Sequence, residues 1–223
     1  WDAYYNLGQT TESTGSETAL RDRYYSALDA IAGPGGTVIC RDAAARAAGC
    51  APFNPFGFNS VSAESAKYIT NNGQLSTYDS KVRQESFGAN ISGSIFSLPA
   101  GKVNVAFGAE HRKEKSSEVY DEQTQLGNTM GNALTNTVGR YDVTEAYSEI
   151  TVPLLSETPF AHLLGLEGAV RMGDYSTVGT VYSWKAGATW APIKDIRFRG
   201  VYSVATRAPN IGELFAGQSQ TFP

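Results

Sequence analysis

Two cysteines, two histidines and a scatter of opposite charges are the residues with chemistry to offer. Cys40 and Cys50 enclose nine residues. No His lies near them, so a metal site lacks its remaining ligands. Two readings stay open for the pair, a disulfide or two unpaired thiols. His111 and His162 have no evident nucleophile partner. Glu110, Arg112, Glu145, Glu149, Glu167, Arg171, Lys185, Arg197 and Arg199 mix acids and bases in a way that resembles catalytic pairs. On strands they are better explained as a hydrated wall whose opposite charges pair across neighbouring strands. Gly33-Pro34-Gly35-Gly36 lacks the Lys-Ser/Thr of a phosphate loop and reads as a turn. No catalytic residue, metal ligand or cofactor is assigned, and an enzyme is not expected. A net charge of -4 with no concentrated basic face speaks against a nucleic-acid partner.

The elements that must position these charges show alternation with a period of two, the mark of strands with two unlike faces. Ile196, Phe198, Gly200, Tyr202 and Val204 form one face, against Arg197, Arg199, Val201, Ser203, Ala205 and Arg207. Tyr182, Trp184, Ala186, Ala188 and Trp190 likewise oppose Ser183, Lys185, Gly187 and Thr189. Leu164, Leu166, Gly168, Val170 and Met172 oppose Glu167 and Arg171. Ala146, Ser148, Ile150 and Val152 oppose Glu145, Tyr147 and Glu149, and Val103, Val105, Phe107 and Ala109 oppose Asn104, Gly108, Glu110 and Arg112. With a weaker strand from Phe87 to Phe96 and a first from Trp1 to about Gly8, the chain holds about seven strands, each near the ~10 residues that cross a tilted bilayer. Trp1, Tyr5, Tyr182, Trp184, Trp190 and Tyr202 fall on the apolar faces and suit a lipid-interface girdle. His111 falls there too, near a strand end, and His162 in a short turn. No run approaches the ~20 apolar residues of a membrane helix.

Short connections at Leu98 to Lys102, Ser156 to His162 and Ala191 to Asp195 alternate with longer ones at Thr10 to Tyr78, Tyr120 to Tyr141, Gly173 to Gly179 and after Arg207. In bacterial outer-membrane barrels the short turns are periplasmic and the long loops extracellular, which makes 10–78 a long extracellular loop. Within it, helices are expected from Leu20 to Ile31, from Asp42 to Ala48 and from Ser62 to Thr70, since so long a loop needs internal packing.

The end of the chain carries Tyr202-Ser203, Arg207-Ala208-Pro209-Asn210 and Glu213-Leu214-Phe215. This resembles the barrel signature of TonB-dependent receptors, in which a strand leaves the membrane at Arg-x-Pro and continues to Glu-Leu-Phe. Gly108-Ala109-Glu110-His111-Arg112-Lys113-Glu114 is similar to a family strand whose Glu and Arg face the lumen, and Val152-Pro153-Leu154-Leu155 to a strand end that closes the next hairpin. Cys40, Gly49-Cys50, Pro52, Asn54 and Phe56-Gly57 resemble a disulfide-closed surface loop of one large branch. The likeness covers nearly the whole chain. It implies an all-β fold, an antiparallel transmembrane β-barrel fragment of about seven strands out of roughly 22, with the plug domain, TonB box and terminal strand absent from residues 1–223. The start at Trp1, without initiator Met or signal segment, fits a piece of something longer.

The resemblance further implies residence in the bacterial outer membrane, contact with its lipid, and uptake of a scarce solute energised through the TonB complex by way of a missing N-terminal region. The solute is expected to be siderophore-iron, cobalamin or an oligosaccharide. Loop aromatics Tyr24, Tyr25, Phe53, Phe56, Phe58, Tyr68 and Tyr78 are candidate contacts, with packing of the loop itself as the equal alternative. Two rivals remain. A soluble extracellular β-sandwich, as in a binding module or adhesin, would bury both apolar faces against each other. An outer-membrane enzyme with a barrel body would need a Ser/His/acid constellation at one rim.

Overall fold

A computed structural model of the chain describes residues 1–218. Seven strands form one sheet: β1 (Asp2–Glu17), β4 (Leu75–Leu98), β5 (Gly101–Tyr120), β6 (Thr137–Thr158), β7 (Ala161–Tyr175), β8 (Gly179–Ile193) and β9 (Ile196–Val204), in the order β1-β4-β5-β6-β7-β8-β9. Strands that follow one another therefore lie side by side, the up-and-down pattern of a barrel wall. The first connection carries α1 (Arg21–Leu28), a two-stranded ribbon of β2 (Ala30–Ala32) and β3 (Val38–Cys40), α2 (Ala43–Ala47) and α3 (Ala63–Ile69). Two further short helices are α4 (Glu122–Gln125) and α5 (Ile211–Phe215). The chain divides into two compact units. One comprises Trp1–Gln9, Val82–Lys115 and Gly139–Leu214, and the other Thr10–Lys81, Ser116–Val138 and the residues from Phe215.

In the first unit the two faces of the sheet are inverted relative to a water-soluble protein. On β8, Tyr182, Trp184, Ala186, Ala188 and Trp190 are exposed, while Ser183, Lys185, Gly187 and Thr189 are half-buried. Tyr182 is 58% exposed and Phe198 56%, whereas Glu145 on the opposite face is 8% exposed. Register carries the apolar set across the strands: Ile150 pairs with Gly168, Gly168 with Ala186 and Ala186 with Tyr202, while Val170 pairs with Trp184 and Trp184 with Val204. Trp190 stacks on Phe198 at a centroid distance of 5.7 Å, and Trp184 lies tilted against Tyr202 at 5.5 Å. Val103, close to the turn after Leu98, is the buried member of this face. Large side chains left bare in this way suit hydrocarbon rather than water. A soluble sandwich would have covered them with a second layer.

The strands are longer than the sequence pattern suggests. β1 has 16 residues, β4 24, β5 20 and β6 22. Ladder bonds need only backbone groups, so pairing runs on past the apolar band that alternation can detect. The irregular part of the first connection accordingly shrinks from 10–78 to 18–74. The connection expected from Gly173 to Gly179 is a tight hairpin in which Tyr175 pairs with Gly179, leaving Ser176, Thr177 and Val178 between them. Gly179 takes φ +75°, the left-handed residue of a three-residue hairpin loop. His111 lies inside β5 and bonds Thr144 Oγ1 at 2.9 Å, rather than near a strand end. His162 lies in β7, 3.2 Å from Glu157, rather than in the turn. Val152-Pro153-Leu154-Leu155 does not close β6. Pro153 pairs with Gly165 and Leu155 with Leu164, so Leu154 bulges and the strand resumes to Thr158. The three expected loop helices form, the first ending at Leu28 because Ala30–Ala32 turns into the ribbon. The last part of the connection expected after Arg207 lies outside the described residues.

The polar face is packed through tyrosines laid over glycines. The Tyr147 ring lies against Gly108, and its hydroxyl donates to Asn90 Oδ1 at 2.8 Å, while Asn90 Nδ2 donates to Asp2 at 2.9 Å. Tyr4 covers Gly88 in the same manner, a Cβ there meeting the ring at 2.5 Å, and donates to Glu110 Oε2 at 2.5 Å. A side chain at either glycine must displace a hydrogen-bonded ring. Gly108→Val in the full-length protein is expected to destabilise by about 1–3 kcal/mol through overpacking. Heat-modifiability on gels measures this as a lower temperature of barrel unfolding, and Tyr147→Ala in the same protein should restore part of the loss.

Candidate functional site

The loop-bearing unit builds a small core of its own. Ser62 caps α3 by accepting from the Ser65 amide at 3.1 Å, and Asp42 caps α2 from Ala44 and Ala45. Ala27, Tyr68 and Ile69 are buried together, with Ala19, Tyr24, Cys50 and Phe53 against them. Cys40 and Cys50 are joined as a disulfide, which closes the α2 segment onto β3. Arg46 Nη1 donates to the carbonyls of Cys40 and Arg41, both at 2.6 Å, and the Arg41 guanidinium meets Asp29 at 2.9 Å.

The seven candidate aromatics separate into two groups. Tyr68 is buried, with Arg23 5.1 Å above its ring, and Tyr24 lies 5.1 Å from Phe53, so these three serve the internal core. Tyr78 packs on Tyr120 at 5.1 Å. Tyr25 is 58% exposed, Phe56 81% and Phe58 96%. The two exposed Phe residues sit on a preformed tip, where Asn54 Oδ1 accepts from the Phe56 amide at 3.0 Å and Ser60 Oγ donates to the carbonyls of Asn54 and Gly57 at 2.9 and 3.0 Å. Gly57 adopts φ +96°, which favours glycine at that bend.

The connection from β5 to β6 is fixed by a cluster with no catalytic geometry. Asp121 caps α4 and accepts from the Thr124 amide and hydroxyl, the Ser76 hydroxyl and the Thr77 amide. Burial pushes its carboxyl upward, but these donors outweigh burial and hold it below the usual carboxylate range.

In the first unit, the segment after β9 forms a compact clamp. Arg207 reaches both Glu213 carboxylate oxygens at 2.8 Å. Asn210 Oδ1 accepts from the Glu213 amide at 2.8 Å and Glu213 Oε2 accepts from the Asn210 amide at 2.9 Å. This is a reciprocal capping box. Pro209 supplies no backbone donor and prevents continuation of the ladder. Ile211 is buried against Tyr141 and Val143, with Tyr175 beside them. Leu214 and Phe215 complete α5. The sequence reading missed Ile211. The Asn210-x-x-Glu213 spacing was the available signal for the box, but nothing local tells where Ile211 packs.

Some charged residues of the polar face pair across strands, Glu145 with Arg171 at 2.5 Å and Glu167 with Arg199 at 2.6 Å, whereas Arg112 pairs within β5, with Glu110 at 3.1 Å and Glu114 at 2.9 Å. Among the described residues no group of His, Cys, Asp and Glu has the arrangement of a metal site. These carboxylates are held by guanidinium groups in the manner of a hydrated wall, as expected for cross-strand pairing.

Two outcomes follow for the full-length protein. Cys40→Ser with Cys50→Ser should lower the stability of the loop by about 2–3 kcal/mol in the chain-entropy estimate, read as faster proteolysis within 41–60 at unchanged barrel heat-modifiability. The Glu213 carboxyl, bonded by Arg207 and by the Asn210 amide, is lowered to about 2 from an ordinary 4.5. Because the folded value is depressed, the clamp's contribution is complete above 4.5 and disappears as pH falls through about 2. Hydrogen exchange of 206–214, corrected for intrinsic rate, should rise over that window, and Glu213→Gln should abolish the dependence.

The family model described as "TonB dependent receptor-like, beta-barrel" matches residues 2–223. No solved structure matches the chain. With the inverted faces, the ion-paired polar wall and the Arg207-to-Phe215 clamp, this match establishes that the chain belongs to the TonB-dependent receptor family, as part of the β-barrel of a receptor and transporter of the bacterial outer membrane.

Proposed function

We propose that this part of the barrel captures a scarce solute at the cell surface for uptake energised by TonB. The single observation that supports it most is the division of labour in the first connection. Tyr24, Phe53 and Tyr68 support a disulfide-closed scaffold, and that scaffold leaves Tyr25, Phe56 and Phe58 exposed. Rigid aromatic residues on a preordered tip lose little entropy on binding and supply large contact area. The solute class is siderophore-iron, cobalamin or an oligosaccharide, each with surfaces an aromatic ring can cover. TonB would engage a part of the receptor outside this sequence.

Sidedness supports the same reading. Pro99 and Ala100, Pro159 and Phe160, and Lys194 and Asp195 are two-residue turns, whereas 18–74 and 121–136 lie between strands at the opposite ends. Outer-membrane barrels keep short turns periplasmic and place long loops outside. On this reading 18–74 is the extracellular loop.

Whole-cell uptake of a radiolabelled ferric siderophore, cobalamin and an oligosaccharide tests the proposal, in cells carrying or lacking the receptor and carrying or lacking TonB. One of the three is expected to enter only when both are present. Tyr25→Ala, Phe56→Ala and Phe58→Ala together should then raise the half-saturating concentration by roughly tenfold or more, with the receptor's surface abundance unchanged. Uptake of all three independent of the receptor would remove the proposal, and unchanged half-saturation would move the binding surface elsewhere.

A further inference from the structure

From the outward face of the first unit, just past its apolar rows, we infer that Arg83, Lys115 and Arg140 bind the phosphate of an anionic lipid in the outer leaflet. Side-chain contacts give the register of the three strands. Ser94 with Asn104 and Gln84 with Glu114 set β4 against β5, and His111 with Thr144, together with the Tyr147 ring over Gly108, set β5 against β6. Continuing these ladders puts Phe87 beside His111 and Thr144, then Glu85 beside Lys113 and Asp142, then Arg83 beside Lys115 and Arg140. Arg83, Lys113, Lys115 and Arg140 are exposed, while Arg112, Glu114 and Tyr141 between them are not, so all four cations are on the lipid side. On the other side of the Phe87 row the same face carries Ala89, Ala109 and Ala146, then Ile91 and Phe107. Within three rows the face passes from apolar to mixed charge to wholly cationic.

The last row is unfavourable as it stands, because like charges directly opposite one another destabilise a sheet. Arg83 has a carboxylate in reach, Glu85 at 3.8 Å. Among the described residues Lys115 and Arg140 make no ion pair and no side-chain hydrogen bond. β7 and β8 have already met in their hairpin at Tyr175 and Gly179, so neither brings a counter-charge beside Arg140. One anion shared by the three strands removes the repulsion. Successive rows lie about 7 Å apart along a strand, or about 5 Å along the membrane normal at a tilt near 45°. The cations therefore stand about 10 Å above the Phe87 row, and their long side chains can bend back into the headgroup layer. Phosphate suits them, since a guanidinium offers paired N–H groups and an ammonium a point charge. The acyl chains of the same lipid would cover Phe87, Ile91 and Phe107. That continuity commits the site to lipid-borne phosphate rather than the free ion, and the choice of leaflet rests on the sidedness proposed above.

Titration of the purified full-length protein in neutral detergent tests this, with lipopolysaccharide and with lipopolysaccharide stripped of its phosphates as the two probes. The parent should bind the intact form roughly tenfold or more tightly than the stripped one. Arg83→Gln, Lys115→Gln and Arg140→Gln together should erase that preference. Lys67→Gln, Lys102→Gln and Lys194→Gln together, with the same change in charge, should keep it. An excess of inorganic phosphate should not displace the lipid. Folding is checked in the same samples: without lipid at low salt, the first triple variant should unfold in heat-modifiability gels at a temperature no lower than the parent's, because a repulsion has been removed. Equal affinity of the parent for both probes, equal loss of preference in both triple variants, or displacement by inorganic phosphate overturns the inference. Labelling of Phe58→Cys on intact cells by an impermeant maleimide reads the sidedness separately. Without that labelling the sidedness falls and the leaflet with it, whereas labelling with no phosphate preference overturns this inference alone.

Discussion

Everything in this chain answers to one constraint: within hydrocarbon, no backbone donor or acceptor can be left unpaired. A ladder of strands satisfies it, and the order β1-β4-β5-β6-β7-β8-β9 is the least entangled way to lay one down. Once the ladder is fixed, the period of two assigns each side chain to lipid or to lumen, and a slip of one residue would exchange the two sets. That is why the pairing of Ile150, Gly168, Ala186 and Tyr202 keeps one face apolar across four strands.

The lumenal face meets a different demand. Carboxylates and guanidinium groups there are only partly hydrated, and several are matched by a neighbour of opposite sign, as Glu145 is with Arg171 and Glu167 with Arg199. These pairs span adjacent or next-but-one strands and bind the wall laterally without apolar contact. Tyr4 and Tyr147 extend the same idea, lying over Gly88 and Gly108 so that a ring takes the place a side chain would occupy. The wall is thus held by hydrogen bonds on one side and by contact among Trp, Phe and aliphatic residues on the other.

What could be read from sequence follows this division. Alternation revealed both faces, because burial from water and burial from lipid leave the same period. It under-measured the strands, since polar residues such as those from Leu75 to Lys81 continue β4 with no apolar signal. The family likeness took Val152-Pro153-Leu154-Leu155 for a strand end, although β6 runs on to Thr158 past a bulge at Leu154. In the first loop the helices expected from Asp42 and from Ser62 form, each with that residue as its side-chain cap. Which aromatic residues would be packed and which left bare was not legible. Tyr24 and Tyr25 are neighbours in sequence with opposite fates, decided by the contact of α1 with α3 and Phe53. Ile211 was invisible for the same reason, its partners lying on strands far back in the chain.

The disulfide-closed scaffold has an evolutionary corollary. Phe56 and Phe58 are exposed, while the turn that carries them is held by the Asn54 and Ser60 side chains bonding to its backbone. Replacing those two rings leaves the hydrogen bonds that hold the turn intact. A lineage can therefore redraw what its receptor recognises by changing a few letters at the tip, with the folding of the remainder untouched.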